Sequence, residues 1–369
     1  MKISRRTCLK GCATVLGMMA MPMFPSSPRL DAFQNTHEAM FYEKLPNRQV
    51  HCLLCPNSCV REDGELGKCK VRKNIGGRYH ALTYGVPCVL ALDPVAKFPL
   101  FHFSVSGMAF SIATAGCNLS CQYCQNWQFS QSRVEETKNF SLTPEQVVSK
   151  AQDHKARAIG FFYTEPTIYF EYMIDIARYA KKAGLKTIMV TGGYINPTPM
   201  KMLLPIIDAF VVGLKGFSEK YYSDIIGGRL EPVKEALRLL LHSKRHFEVV
   251  TLLLPTMNDS REELIQLATW YRKNLGPDIP WHVTRFTPQY RLKSLPPTPV
   301  PVLEMARQIG RDAGIRFVYT GNIPGHEGNH THCPSCGKLL IERLGFQEIS
   351  RCMVGNACPE CRTVIPGQW

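Results

Sequence analysis

Three cysteines stand close together in the segment 116–127, which reads GCNLSCQYCQNW. Cys117, Cys121 and Cys124 have the spacing C-x3-C-x2-C. A structural zinc ion is normally held by four protein ligands, and iron–sulfur clusters usually have four cysteine ligands as well. Three thiolates would leave one metal position open, and an open position is where a substrate or a cofactor can bind. The spacing therefore predicts a reactive metal centre.

Two further groups of cysteines flank this segment. The first group has the spacing C-x2-C-x3-C-x9-C and comprises Cys52, Cys55, Cys59 and Cys69. The second group has two C-x2-C pairs and comprises Cys333, Cys336, Cys358 and Cys361. Two such pairs joined by a hairpin are typical of a zinc ribbon. The first group could hold either a zinc ion or an auxiliary iron–sulfur cluster, because the number of ligands does not separate the two.

The composition is that of an ordinary globular protein. The chain has 369 residues, 45% of them hydrophobic, which suffices for one large domain with small appendages. It contains no run of 18 or more apolar residues, so no conventional membrane span is expected. The formal charge of +14 is compatible with nucleic-acid binding. However, no stretch combines dense Lys and Arg with interleaved aromatic residues, so we expect a solvated basic surface and no nucleic-acid partner.

The first 33 residues have the pattern of a leader. A basic start is followed by a mostly apolar run at 12–24, which is too short to span a membrane. Arg5 and Arg6, followed by Leu9 and Lys10, resemble a twin-arginine export signal. The match is incomplete, since Cys8 stands where such signals usually have Phe. The leader suggests export or membrane tethering; the alternative is an unprocessed leader on a cytoplasmic protein.

The middle of the chain alternates short apolar runs with amphipathic stretches. Helical patterns occupy, for example, 167–184 and 261–274. The runs between the helical patterns are rich in β-branched and aromatic residues: FSIATAG (110–116), AIGFFY (158–163), KTIMVTG (186–192), AFVVGLKG (209–216), FEVVTLLLP (247–255), WHVTRFTP (281–288) and IRFVYTGN (315–322). Strands that alternate with helices predict βαβ units and a parallel sheet.

The predicted fold class is therefore α/β, a partial or full βα (TIM-like) barrel with two cysteine-rich appendages. The expected domains are a leader (1–33), an N-terminal four-Cys segment (34–107), the barrel (108–322) and a C-terminal zinc-ribbon-like module (323–369). In such barrels the chemistry lies at the carboxyl ends of the strands.

Polar residues follow several of the predicted strands, and we expect them to converge on one face. These residues are Thr164, Glu165, Thr191, Gly192, Gly193, Lys215, His282 and Arg285. Each has a simpler explanation. The glycines could form only a turn, Glu165 could cap the following helix, and Lys215 could be a solvated surface residue. Their common position after the cysteine loop favours a functional site.

The cysteine loop after the first strand of a βα barrel resembles the radical S-adenosylmethionine (SAM) superfamily. The resemblance implies a [4Fe-4S] cluster on Cys117, Cys121 and Cys124, with SAM bound to the fourth iron through its amino and carboxylate groups. One electron from the cluster would cleave SAM to methionine and a 5′-deoxyadenosyl radical, which abstracts hydrogen from a substrate. Cofactor-binding roles are implied for Tyr123, near the adenine, for Thr164 and Glu165, near the methionine amino group, and for Thr191, Gly192, Gly193 and Lys215.

The segment YTEPT (163–167) lacks the two glycines of the superfamily's usual motif, and this departure resembles pyruvate formate-lyase activating enzymes. Across about residues 50 to 369 the chain resembles the radical enzymes of the AmmeMemoRadiSam system. That likeness rests on DPVAKFPLFHF, WHVTRFTPQYRL, VYTGNIPG and CPSCGKLLIER in addition to the loop and YTEPT. It implies Memo-type and AMMECR-type partners and a low-potential electron donor, and it leaves the substrate open. The alternatives are a glycyl-radical-enzyme activase and, in another class, a zinc-scaffold nucleic-acid-binding protein.

Overall fold

The computed structural model describes residues 36–105 and 107–369. The leader predicted at 1–33 lies outside the described residues. The described strands are β1 His37–Glu38, β2 Tyr42–Lys44, β3 Val50–Cys52, β4 Val60–Arg61, β5 Arg72–Ile75, β6 Arg78–Ala81, β7 Val89–Pro94, β8 Met108–Ala113, β9 Ala158–Phe161, β10 Lys186–Thr191, β11 Ala209–Gly213, β12 His246–Leu253, β13 Trp281–Arg285, β14 Val318–Gly321, β15 Thr331–His332, β16 Leu339–Leu344 and β17 Gln347–Arg351.

The described α-helices are α1 Trp127–Ser130, α2 Pro144–Asp153, α3 Phe170–Lys182, α4 Pro197–Leu203, α5 Glu219–Tyr221, α6 Leu230–Ser243, α7 Arg261–Leu275 and α8 Val300–Asp312. A π-helical turn, Tyr222–Ile226, directly continues α5.

Local sequence sets several of these boundaries. Thr143 and Gln146 form a reciprocal capping box at the start of α2, and Ser260 caps α7 by accepting a hydrogen bond from the Glu263 amide. None of the described helices is long and apolar enough to cross a membrane.

One eight-stranded sheet forms the centre of the molecule. Its strand order is β14-β13-β12-β11-β10-β9-β8-β7. Neighbours from β8 to β14 are parallel, whereas β7 joins the edge of the sheet antiparallel to β8. In the part of the chain that the structure describes, β7 and β14 do not pair, so the sheet is an open, partial barrel. This confirms the predicted α/β class and decides between the partial and the full barrel.

The two faces of this sheet bury different side chains. One face packs large residues such as Phe110, Ile159 and Met189 into the main core, together with the helices. The other face carries several alanines together with Ile188 and Val211, and it packs against the segment that contains Phe98 and Phe103. Gly160 allows this close packing, because a Cβ at that position would lie 2.6 Å from Cζ of Phe98.

A buried polar cluster joins the sheet to the C-terminal module. Glu248 on β12 accepts hydrogen bonds from the His102 amide (2.7 Å) and from Nε2 of His282 (2.6 Å). Nε2 of His102 is 2.7 Å from the Tyr319 hydroxyl, while its Nδ1 donates to the carbonyl of Pro366. The expectation that His282 lies with the polar residues at the strand ends is wrong, because its ring is buried against Glu248 and Tyr319.

Small antiparallel sheets lie on both sides of the central sheet in the described sequence. The N-terminal four-Cys segment has two of them, β1-β6-β5 and β2-β3-β4, and the C-terminal module has β15-β16-β17. The module packs Leu340 and Ile341 against Phe317 and Tyr319 of the barrel. Buried side chains therefore attach the C-terminal module to the central sheet.

Candidate functional site

The loop with the three cysteines connects β8 to α1 and is held in place by backbone hydrogen bonds. The amides of Ser120 and Gln122 donate to the carbonyls of Ile226 (2.9 Å) and Ile225 (3.0 Å) in the π-helical turn. Gly227 follows this turn with φ +74°, and a Cβ there would lie 2.0 Å from Oγ of Ser120. Because Gly227 has no side chain, the π-helical turn can lie directly against the cysteine loop.

The spacing of the sulfur atoms distinguishes the cysteine groups. Four sulfurs around one zinc ion at about 2.3 Å lie about 3.8 Å from one another. Among residues 36–105 and 107–369, Cys333, Cys336, Cys358 and Cys361 are the one set of possible ligands whose atoms all lie within 4.8 Å of one another. The sulfurs of Cys117, Cys121 and Cys124 are therefore more widely spread. This donor set suits a cluster, in which each cysteine binds a different iron, better than a single ion.

The carboxylate of Glu165 is the centre of a buried hydrogen-bond network beside the cysteine loop. Its Oε1 accepts from the amide and hydroxyl of Thr167 (3.1 and 2.7 Å) and from the hydroxyl of Thr191 (2.7 Å). Its Oε2 accepts from the amide of Gly192 (2.7 Å). Glu165 therefore caps the turn that leads into α3, as the simpler explanation expects, and also ties the end of β9 to the end of β10.

Lys215 supplies a positive charge at the same place. Burial alone would lower the pKa of its ammonium group, but the thiols of Cys121, Cys117 and Cys124 and the carboxylate of Glu165 outweigh this and raise it. Its backbone is fixed because the amide donates to the Tyr222 hydroxyl (3.0 Å). Lys215 is therefore not a surface lysine, since its charge faces the cysteine loop.

Gly192 and Gly193 let the end of β10 lie close to these groups. A Cβ on Gly192 would lie 2.9 Å from Cδ1 of Leu119, 3.4 Å from Oε2 of Glu165 and 3.6 Å from Cε of Lys215. Gly193 has φ +67° and lies against Val212, so it also serves the turn after β10. The backbone at 192 thus lies beside a carboxylate, a lysine side chain and the cysteine loop, where a larger residue would have to displace Leu119.

The other two residues predicted to bind the cofactor, Tyr123 and Thr164, are buried. Tyr123 is buried next to Tyr221 and Cys121, and burial above all raises the pKa of its hydroxyl well above the usual range. The hydroxyl of Thr164 donates to the carbonyl of Thr114 (2.9 Å), at the start of the cysteine loop. The structure thus brings together the cysteine loop and the residues predicted around it, while their roles in cofactor binding stay predictions.

Asn118 is a buried residue of the site that the sequence analysis did not single out. Its side-chain Nδ2 donates to the backbone carbonyl of Tyr194 (2.7 Å). The backbone carbonyl of Asn118 accepts a hydrogen bond from Nδ2 of Asn57 (2.7 Å). It therefore links the cysteine loop to the end of β10 and to the N-terminal segment. Its position directly after Cys117 was the only signal in the sequence.

The C-terminal cysteines form two matching turns. The amide of Gly337 donates to the carbonyl of Cys333 (3.0 Å), and the amide of Arg362 donates to that of Cys358 (3.1 Å). Gly337 and Arg362 both have positive φ, +75° and +60°. The sulfurs of Cys333 and Cys361 are 3.4 Å apart, close to the spacing around one zinc ion. The arrangement suits the predicted zinc ribbon, and the identity of the metal stays a prediction.

Known proteins resemble this chain over most of its length. The model of the radical SAM superfamily matches residues 111–268. An uncharacterized protein of Methanocaldococcus jannaschii is 42% identical over 309 residues, which cover 84% of this chain and 92% of that protein. The pyruvate formate-lyase-activating enzyme of Clostridium pasteurianum is 24% identical over 162 residues, or 42% of this chain and 65% of that enzyme. A radical SAM methyltransferase from Sphaerobacter thermophilus, whose crystal structure is known, has a TM-score of 0.46 at 16% identity, over 60% of this chain and 70% of that one.

Proposed function

The chain belongs to the radical SAM superfamily of enzymes, and we propose that Cys117, Cys121 and Cys124 hold a [4Fe-4S] cluster whose open iron binds SAM. The observation that carries the proposal is the arrangement around the cysteine loop. A carboxylate, Glu165, and a lysine, Lys215, face the three cysteines at the carboxyl ends of the parallel strands β9 and β11, which flank β10. Carboxyl ends of strands are where βα barrels perform chemistry.

When bound and reduced, the cluster would supply one electron to cleave SAM into methionine and a 5′-deoxyadenosyl radical, which takes a hydrogen atom from the substrate. The chain's own residues bind and orient. Glu165 is fixed by four hydrogen bonds, so its carboxylate is ready to accept a donor such as the amino group of SAM. Lys215 would balance negative charge from the thiolates. The absence of a side chain at Gly192 would let SAM approach both groups from the same backbone segment.

The substrate and the partners are the less defined part of the proposal. The motifs across about residues 50 to 369 support a radical enzyme of the AmmeMemoRadiSam system, working with Memo-type and AMMECR-type proteins. The similarity to pyruvate formate-lyase-activating enzymes supports the alternative, an activase of a glycyl-radical enzyme. Either function needs a low-potential electron donor. Export through the leader stays a prediction, as does the absence of a nucleic-acid partner.

The experiment that tests the radical function uses the full chain, reconstituted anaerobically with iron and sulfide. SAM and dithionite are added, 5′-deoxyadenosine is followed by chromatography, and iron and zinc are counted on the same sample. Cys121→Ala should abolish 5′-deoxyadenosine formation and lower the iron content, while the ribbon keeps its zinc. Cys88→Ala is the control, since Cys88 is also buried but lies in none of the three groups. Unimpaired cleavage in Cys121→Ala, or zinc without iron in the unmodified chain, would contradict the proposal.

A further inference from the structure

The four cysteines of the N-terminal segment have no role in the chemistry above, yet they converge. Cys52, Cys55 and Cys69 are buried and Cys59 is half-buried. The amide of Cys52 donates to the carbonyl of Cys59 (2.9 Å), and the amide of Ser58, next to Cys59, donates to the carbonyl of Cys55 (3.1 Å). All four are free thiols. A group of buried cysteines without disulfides is the usual sign of a metal site.

Their sulfurs are not gathered as closely as those of the ribbon. In the described part of the chain, only the ribbon cysteines bring three or more ligand atoms within 4.8 Å of one another. The ribbon also has direct sulfur–sulfur contacts of 3.4 and 3.6 Å. The N-terminal group and the loop of Cys117, Cys121 and Cys124 both lack the close sulfur spacing of the ribbon. Four separated thiolates are what a cubane with four irons requires.

A buried hydroxyl faces this group without a partner. Oη of Tyr79 makes no hydrogen bond within the described residues, and the residue is completely buried. A Cβ on Gly67 would lie 2.3 Å from this oxygen and 3.6 Å from Sγ of Cys69, so the hydroxyl and the sulfur flank the same glycine. A buried donor without an acceptor is unfavourable. The sulfide or thiolate sulfurs of a cluster would provide the missing acceptor.

The group also lies directly behind the loop of Cys117. A Cβ on Gly116 would lie 2.6 Å from the carbonyl oxygen of Cys69, and Gly116 has φ +92°. Nζ of Lys68, the residue before Cys69, donates to the carbonyl of Gly227 (2.8 Å), and Gly227 lies against the same cysteine loop. The amide of Lys68 approaches Sγ of Cys59 at 3.4 Å. The segments that carry the two cysteine groups are therefore in direct contact.

We propose that Cys52, Cys55, Cys59 and Cys69 hold a second [4Fe-4S] cluster that passes single electrons to the cluster of the Cys117 loop. A low-potential one-electron donor protein reduces the second cluster by one electron. The second cluster is reoxidised when it reduces the loop cluster by one electron, and no proton moves and no bond changes. The site assignment stands on the sulfur spacing and on Tyr79, whereas the electron transfer rests on the proposed function.

The test removes the loop cluster and asks whether iron remains. In the full chain with Cys117, Cys121 and Cys124 all changed to Ala, anaerobic reconstitution should leave about four irons per chain, against about eight in the unmodified protein. Dithionite should give this variant an electron paramagnetic resonance signal of a reduced cluster. A variant without iron but with a second zinc would overturn the site assignment. Equal iron content in variant and unmodified chain would instead overturn the loop cluster and leave the second site standing.

Tyr79→Phe gives a readout that a zinc ion cannot produce. Hydrogen bonds to cluster sulfurs raise the reduction potential, so the loss of this hydroxyl should lower the midpoint potential of the cluster in the triple variant. Tyr42→Phe is the control, because the Tyr42 hydroxyl instead donates to the exposed Glu38 (2.6 Å). Equal potentials in both tyrosine variants would refute the contact of Tyr79 with the cluster.

Discussion

Replacement of Gly192 by Ala tests whether the cofactor binds beside Glu165 and Lys215. Gly192 does not have a positive φ, so alanine is allowed by the backbone. The added methyl group would lie 2.9 Å from Cδ1 of Leu119, 3.4 Å from Oε2 of Glu165 and 3.6 Å from Cε of Lys215. The substitution therefore adds bulk beside Glu165 and Lys215 without removing a polar group.

The structural effect should be small and the effect on binding large. Ordinary carbon–carbon contacts are about 3.5–4.0 Å, so the Leu119 methyl at 2.9 Å must retreat by about 1 Å. Overpacking of this kind typically costs about 1–3 kcal/mol, and we expect the lower end because the atom is the tip of a flexible side chain. For SAM, we expect at least a tenfold loss of affinity, which corresponds to about 1.4 kcal/mol.

Gly228→Ala is a matched control. A Cβ on Gly228 would lie 2.8 Å from Cδ2 of the same Leu119, and its other neighbours belong to Tyr194 rather than to Glu165 or Lys215. Both variants thus push Leu119 by a similar distance, but only Gly192→Ala adds a methyl group beside Glu165 and Lys215.

The assay is equilibrium dialysis of SAM against iron-loaded protein, with iron content and urea unfolding measured in parallel. We expect similar stability and iron content in the two variants, with weakened SAM binding only in Gly192→Ala. Equal loss of affinity in both would assign the effect to Leu119, and unchanged affinity in Gly192→Ala would place the cofactor elsewhere.

Two further predictions concern charge. Lys215→Met should lower the midpoint potential of the loop cluster, because a nearby cation stabilises the more negative reduced state; potentiometric titration checks this, and Lys215→Arg should keep the potential. Burial above all lowers the pKa of His102 to about 4, whereas an unfolded histidine has a pKa near 6.5. Between these pH values the unfolded state therefore binds more protons than the folded state. The free energy of unfolding should fall by up to about 3 kcal/mol as the pH drops from about 6.5 to about 4. Urea unfolding of His102→Gln should show a flatter pH dependence over this range, and an identical slope would contradict the assignment.

The parallel strands could be predicted because their signal is local. Each of the seven apolar runs overlaps a strand of the central sheet, and the helical patterns at 167–184 and 261–274 overlap α3 and α7. Buried parallel strands are apolar on both faces, so runs such as AIGFFY and AFVVGLKG identify them without any knowledge of their neighbours. The lengths and the alternation with helices then suffice for the fold class.

Pairings between distant segments could not be predicted in this way. Strand β7 lies on the N-terminal side of the expected boundary at 107, yet it pairs with β8 over its whole length. His282 was expected at the strand ends, but it is buried with Glu248, which lies 34 residues earlier in the chain. Both features depend on strand register and on the packing of the segment around Phe101, for which a single sequence carries no local signal.

The two explanations of Glu165, helix cap and cofactor ligand, prove compatible once its two oxygens are considered separately. A carboxylate has about four positions for hydrogen bonds, two on each oxygen. Three donors, from Thr167 and Thr191, already crowd Oε1, whereas Oε2 accepts only the Gly192 amide. The oxygen with remaining capacity is thus the one beside Gly192. The cap fixes one oxygen, and by doing so it orients the other toward the backbone of Gly192, near Lys215 and the cysteine loop.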